Sequence, residues 1–191
     1  MRLFDGRSLE YDFHSKLTQV EARLATADEA TLSDPAQVTE LIDKLADAEV
    51  ATLDRAKAAF PLETKAAETI VRVVIPFSGS GAYFESILSN SGARRAGPAL
   101  HGEVQPTSRM DRNQEKRLIL TKHFAAGTSP EDVKVWAKQQ VDAIETELDK
   151  LRPAVAGHVD ALRARAEAFA GERLTALRTE RLLRDGLGEG I

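Results

Sequence analysis

The sequence predicts an α+β fold made of an N-terminal pair of helices, a small antiparallel sheet and a long, interrupted C-terminal helical element. Three observations predict it. Apolar residues recur at helical spacing through the first part of the chain, and the run Thr69–Ile75 is dense in β-branched side chains. From Val133 to Leu183, apolar residues again keep helical spacing for about fifty residues with one proline in the middle.

The first helix is expected from Leu9, Phe13, Leu17, Val20 and Leu24, which share one helical face, with Ser8 placed to cap the free amides. A connector through Thr31 and Ser33 ends it. Asp34-Pro35 then reads as a cap followed by proline at the first helical position, and Val38, Leu41, Ile42, Leu45, Ala48 and Leu53 continue the stripe toward Ala59. The two helices are expected to pack antiparallel, with Phe13, Leu17 and Leu24 facing Leu41, Leu45 or the last helices.

Thr69–Ile75 predicts a strand that buries Val71, Val73 and Ile75, and Pro76 is expected to limit its continuation as a central strand. Ser78-Gly79-Ser80-Gly81 predicts a turn, after which Tyr83-Phe84 and Ile87-Leu88 anchor a short irregular or helical segment. Ala99–Val104 and Lys116–Lys122 predict two further strands, joined by a polar stretch from Thr107 to Glu115. Ser129-Pro130-Glu131-Asp132 combines a cap, a proline at the first position and early negative charge, so the last helical element starts there.

Along that element Ala137, Val141, Ile144, Leu148, Leu151, Val155, Val159, Leu162, Ala166 and Phe169 advance by three or four residues and form one apolar stripe. Pro153 lacks an N–H and crowds the carbonyl of Asp149, so a kink or a reversal is expected at Leu151–Pro153. A reversal gives an antiparallel hairpin and a kink gives an extended arm; local pattern does not choose. Residues 1–62, 63–128 and 129–191 thus read as a helical pair, a β-rich region and a long helical element with a flexible terminus, integrated into one domain.

The 191 residues are 42% hydrophobic and 29% charged, in the range of a folded soluble chain, and the absence of cysteine excludes disulfides and Cys-based metal or nucleophile chemistry. No apolar run approaches a membrane span and the N-terminus lacks a signal-like segment, so a cytoplasmic protein without membrane contact is expected. The formal charge of -4 is unevenly spread. Residues 1–60 hold twelve acidic and seven basic side chains, residues 91–124 hold three and seven, and Arg163–Arg184 contains six Arg against three Glu.

Catalytic signals are weak. His14, His101, His123 and His158 are dispersed, and the nearest pair, His101-x-Glu103, is two polar residues on one face of a strand. Ser78–Gly81 lacks the Lys-Ser/Thr ending of a phosphate loop, the spacing of a dinucleotide fingerprint and the nucleophile-elbow pattern. No enzyme, cofactor or metal is therefore expected. The basic middle offers Arg94, Arg95, Arg109, Arg112, Lys116, Arg117 and Lys122 as phosphate contacts, although no DNA-binding motif or aromatic stacking platform accompanies them.

Ile75-Pro76-Phe77-Ser78-Gly79, the pair Tyr83-Phe84, the Pro98–Val104 segment and the Arg-rich C-terminal helix resemble the N-terminal region of an uncharacterised bacterial family. Members of that family look like two-part proteins, in which a helical and small-sheet region precedes a restriction-endonuclease-like region. The resemblance spans about residues 65–184. It departs at Leu88-Ser89-Asn90-Ser91-Gly92, where the family tends to have a more proline-rich connection, and after Arg184-Asp185-Gly186-Leu187, where relatives continue. No catalytic acid, lysine or metal ligand carries over, because these belong to the other region; the resemblance implies an accessory role in a defence assembly.

The functional expectation is a non-enzymatic interaction or scaffold module. Its interface is expected at Leu148, Leu151, Leu162 and Phe169, which would meet another protein or a second copy. The alternatives are a nucleic-acid-binding accessory protein and a self-contained structural protein.

Overall fold

The computed structural model describes residues 3, 8–44, 49–65, 67–84, 100–105 and 115–188. It has the mixed architecture expected: N-terminal helices α1 (Leu9–Thr26), α2 (Glu29–Ser33) and α3 (Pro35–Asp43), an antiparallel sheet, and a long helix α4 (Pro130–Gly188). The strands are β1 (Thr52–Leu53), β2 (Leu62–Thr64), β3 (Glu68–Ser78), β4 (Glu103–Gln105) and β5 (Arg117–Ala125). The chain divides into two compact units. One comprises Met1–Leu9 with Glu49–Ala154 and the other Glu10–Ala48 with Val155–Ile191. Neither matches the three consecutive segments read from the sequence, because α4 contributes residues to both.

The sheet of the first unit has the order β1-β3-β5-β4, and β2 also pairs with β3. Its axis is the β3–β5 pair, in register from Glu68 opposite Ala125 to Pro76 opposite Arg117. This sets Val73 beside Leu120 and Ile75 beside Leu118 on one face, all four buried. Helix α4 lies against that face: the Trp136 ring meets Phe124 edge-on at 5.5 Å. The opposite face carries polar side chains, among them Glu68 and His123, whose Nδ1 lies 2.9 Å from the carboxylate.

Four sequence expectations require correction in and around this sheet. The second helix does not reach Ala59; it stops at Asp43, and Thr52–Leu53 pairs as a strand with Phe77 and Ser78. A short apolar run buries equally well in a strand, so Val50, Ala51 and Leu53 are core residues under either reading. Among the described residues the sheet has five strands, because β1 and β2 both line one edge of β3. In the Ala99–Val104 region the strand begins at Glu103, and Ala99 lies outside the described residues.

Pro76 does not end β3 either. Along that edge Val74 exchanges two 2.9 Å hydrogen bonds with Ala59, and the Pro76 carbonyl accepts from Asp54 N at 2.8 Å. Between Asp54 and Ala59 the chain leaves the ladder as a 3₁₀ turn, Arg55–Lys57. Proline cannot return the bond from Asp54, and the Asp54 carbonyl accepts from Lys57 N at 3.2 Å within the turn instead, so it is not left unpaired. The strand closes at Gly79, whose φ of +79° suits glycine and whose missing Cβ makes room for the Glu49 and Val50 carbonyls, each 2.9 Å from where it would stand. After this turn Tyr83 and Phe84 are buried in a 3₁₀ segment; Ile87-Leu88 lies outside the described residues.

In the second unit α1 ends at Thr26, and the Thr31–Ser33 connector is itself a short helix capped by Asp28, whose carboxylate accepts from Thr31 N at 2.8 Å. This hydrogen bond holds the Asp28 pKa below the usual carboxylate value. Asp34 caps α3 as expected, accepting from Ala36 N at 2.9 Å with Pro35 in the first turn. Phe13, Val20 and Leu24 of α1 are buried with Val38 and Ile42 of α3; Leu17 and Leu41 are half-buried, and Leu45 lies outside the described residues.

Helix α4 starts where Ser129 accepts from Asp132 N at 3.1 Å and donates to the Asp132 carboxylate at 2.7 Å. It passes through Pro153 without reversing, so the hairpin does not form, and helical structure extends to Gly188, through most of the expected flexible terminus. Proline inside a helix costs about 3 kcal/mol, whereas burial of each large apolar side chain contributes about 1.5–3 kcal/mol. Leu148, Leu151 and Val155, all buried, flank the proline and outweigh it. Because Pro153 is exposed, its replacement by alanine restores a backbone bond without disturbing packing. Pro153→Ala is therefore expected to raise stability by about 1–3 kcal/mol, read from the midpoint of urea denaturation at unchanged slope.

Candidate functional site

The apolar stripe of α4 decides which surfaces are free. Ala137, Val141, Ile144, Leu148 and Leu151 are buried in the first unit, and Val155, Leu162, Ala166 and Ala170 in the second. Leu148 is 0%, Leu151 2% and Leu162 3% exposed, and Phe169 is half-buried. The proposed interface is thus corrected: its three leucines are covered within the chain and present no binding surface. A periodic stripe announces burial without naming the covering group, and here the chain's own elements satisfy it.

In the first unit a polar clamp fixes α4. Arg55, on the 3₁₀ turn, donates Nε–H to Glu145 at 2.7 Å and a second hydrogen bond to the same carboxylate, while its Nη2 reaches Asp142 at 2.7 Å. The hydrogen bond to Glu145 is the main cause that raises the Arg55 pKa, against desolvation. Bidentate pairing of this kind fixes orientation as well as charge. Nearby, the Arg152 guanidinium donates to the Ala51 carbonyl at 3.3 Å.

Beside the clamp lies a cavity of about 200 Å³. Val73 and Ile75 of β3, Ala137 and Val141 of α4, and Ala58 form its apolar wall. Phe60, 51% exposed, stands at its margin with Arg55, Lys134 and Lys138. Nothing in the sequence pattern pointed to it, since these residues come from three separate stretches.

In the second unit the basic end of α4 meets acids of the N-terminal helices. Arg163 bonds Asp43 at 2.8 Å, Arg165 lies 3.6 Å from Glu21, and Arg178 and Arg181 converge on Glu29 at 3.4 and 3.0 Å. His158 stacks on Phe13 with ring centroids 4.9 Å apart. Past this clamp the helix is uncovered: Leu182, Leu183 and Leu187 are 68%, 60% and 67% exposed.

The basic middle does not assemble as one surface among the described residues. Lys116 Nζ donates to the Gly79 carbonyl at 2.6 Å, and Arg117 pairs with Glu115 at 2.9 Å. Lys122 lies over the Phe124 and Trp136 rings at 4.7 and 5.5 Å, on the face that α4 covers, whereas Arg117 falls in the alternate register. Arg94, Arg95, Arg109 and Arg112 lie outside the described residues. His101 and Glu103 are exposed, and Glu103 accepts from Gln105 Nε2 at 2.7 Å. His14 is exposed on α1.

Among the described residues no group of three or more His, Asp or Glu is arranged to hold a metal ion, and no helix is long and apolar enough to cross a membrane. No family model, curated protein or solved structure matches the chain.

Burial makes the corrected interface testable. Removing a buried leucine costs about 2–5 kcal/mol, and a carboxylate in its place adds desolvation. Leu148→Asp and Leu162→Asp are each expected to unfold the protein, seen as loss of cooperative thermal unfolding by circular dichroism, rather than to yield a folded chain of lower molar mass.

Proposed function

We propose that this protein is a non-enzymatic interaction module that contacts a second copy of itself through the end of α4. The observation that carries this reading is the change along one helix, from leucines buried upstream to Leu182, Leu183 and Leu187, which are mostly exposed. Leu183 and Leu187 are one turn apart and share a face. A matching helix laid along them removes apolar surface from water that the chain's own elements leave exposed.

Magnitudes set the strength. Six leucines from two copies contribute at most roughly 9–18 kcal/mol, against about 4–15 kcal/mol for immobilising two molecules. With the two terms of similar size, association is reversible and concentration-dependent, as suits a module that docks transiently. The resemblance to a nuclease-linked family supports the narrower proposal that the assembly serves as an accessory to a separate effector in defence.

Sedimentation equilibrium from micromolar to submillimolar protein is expected to show a mass that rises with concentration. Leu183→Asp with Leu187→Asp abolishes the rise and leaves the far-ultraviolet circular dichroism unchanged, since both side chains are exposed. A monomer mass across the whole range overturns the reading.

A further inference from the structure

We propose that the cavity between β3 and the first half of α4 is a binding site for a small amphipathic monoanion, a carboxylate carried on a single ring or a short apolar chain. The wall of the cavity is apolar: Val73, Ile75, Ala137 and Val141 supply its deeper part, and all four are buried. An apolar cavity of about 150 Å³ is large enough to take benzene, so the roughly 200 Å³ present here accommodates a substituted ring or a chain of similar bulk. Phe60, at the margin and half-exposed, offers a ring face to such a body.

Charge at the mouth selects the head group. Among the described residues three cations and no acid line the cavity. Arg55 is committed to Asp142 and Glu145, a trio of net charge -1 whose carboxylates are turned to the guanidinium, so selection for an anion rests on the two lysines alone. Lys134 is held loosely, 3.8 Å from Glu131. Lys138 has no ion-pair partner among the described residues and is exposed, so its ammonium is available to a carboxylate whose apolar body occupies the hollow. An apolar wall beneath a pair of lightly engaged lysines rejects a zwitterion or a cation, and gains little from a neutral polar molecule.

The test is a methyl-resolved NMR titration of the full chain with 4-isopropylbenzoate and, separately, its uncharged amide. Shifts are expected at the methyl groups of Val73, Ile75, Ala137 and Val141. At low ionic strength the acid is expected to bind about fivefold tighter than the amide, the effect of two exposed ion pairs. Added salt narrows that gap. The double variant Lys134→Gln, Lys138→Gln removes only exposed charge, keeps the fold and equalises the two affinities. Equal affinities in the unaltered protein, an undiminished preference in the double variant, or no shift at these methyls with either compound overturns the proposal. The readout is independent of molar mass, so it stands or falls separately from self-association through Leu183 and Leu187.

Discussion

One apolar face of α4 has to be kept from water along most of a 59-residue helix, and the two compact units are the means by which this happens. In the first unit the covering surface is the face of the sheet on which Val73, Ile75, Leu118 and Leu120 stand, and it exists only because the long β3–β5 register brings those four together. In the second unit Leu162 and Ala166 of α4 are buried, as are apolar positions of α1 and α3. Each unit therefore needs α4 more than α4 needs its own propensity, which is why a proline at position 153 is tolerated.

Electrostatics adds alignment rather than stability. The acidic N-terminal part and the Arg-rich end of α4 meet through Arg163–Asp43 and the Arg178, Arg181 and Glu29 cluster. These groups are partly exposed, and such pairs contribute about 0–1 kcal/mol each. Apolar stripes alone allow a helix to slide or rotate by a turn at modest cost. Ion pairs at fixed positions penalise the wrong register, and Arg55, held by Glu145 and Asp142, does the same in the other unit.

The elements set by local chemistry were legible in the sequence. The caps at Asp34 and Ser129 act through atoms two or three residues away, and the β-branched run at 69–75 forms a strand for reasons contained in itself. What depends on distant partners was not. Leu53 keeps helical spacing with Ile42 and still belongs to a strand, because its partner is Phe77. Pro76 reads as a terminator until the 3₁₀ turn at Arg55–Lys57 shows that no donor is needed there. The stripe of α4 correctly announced burial, yet only the fold shows that Leu148 and Leu162 are covered while Leu182 and Leu183 are not. The cavity was invisible for the same reason: the wall residues Val73 and Ala137 stand far apart in the chain and have no pattern in common.

The exposed leucines at the end of α4 and the cavity differ in kind, and the difference bears on what each can bind. Leu182, Leu183 and Leu187 stand out from a convex helix, so a partner gains their area only by bringing an extensive surface of its own, and the cost of immobilising a macromolecule falls on few contacts. The cavity walled by Val73, Ile75, Ala137 and Val141 is concave and already formed. A small molecule there is surrounded with little rearrangement of the protein, and so gains more contact per atom immobilised. The shape of the helix end thus suits a macromolecular partner, as proposed above, and that of the hollow a small molecule. Because Lys134 and Lys138 lie on the same helix as the exposed leucines but in the other compact unit, charge changes at the cavity leave the leucine surface chemically intact.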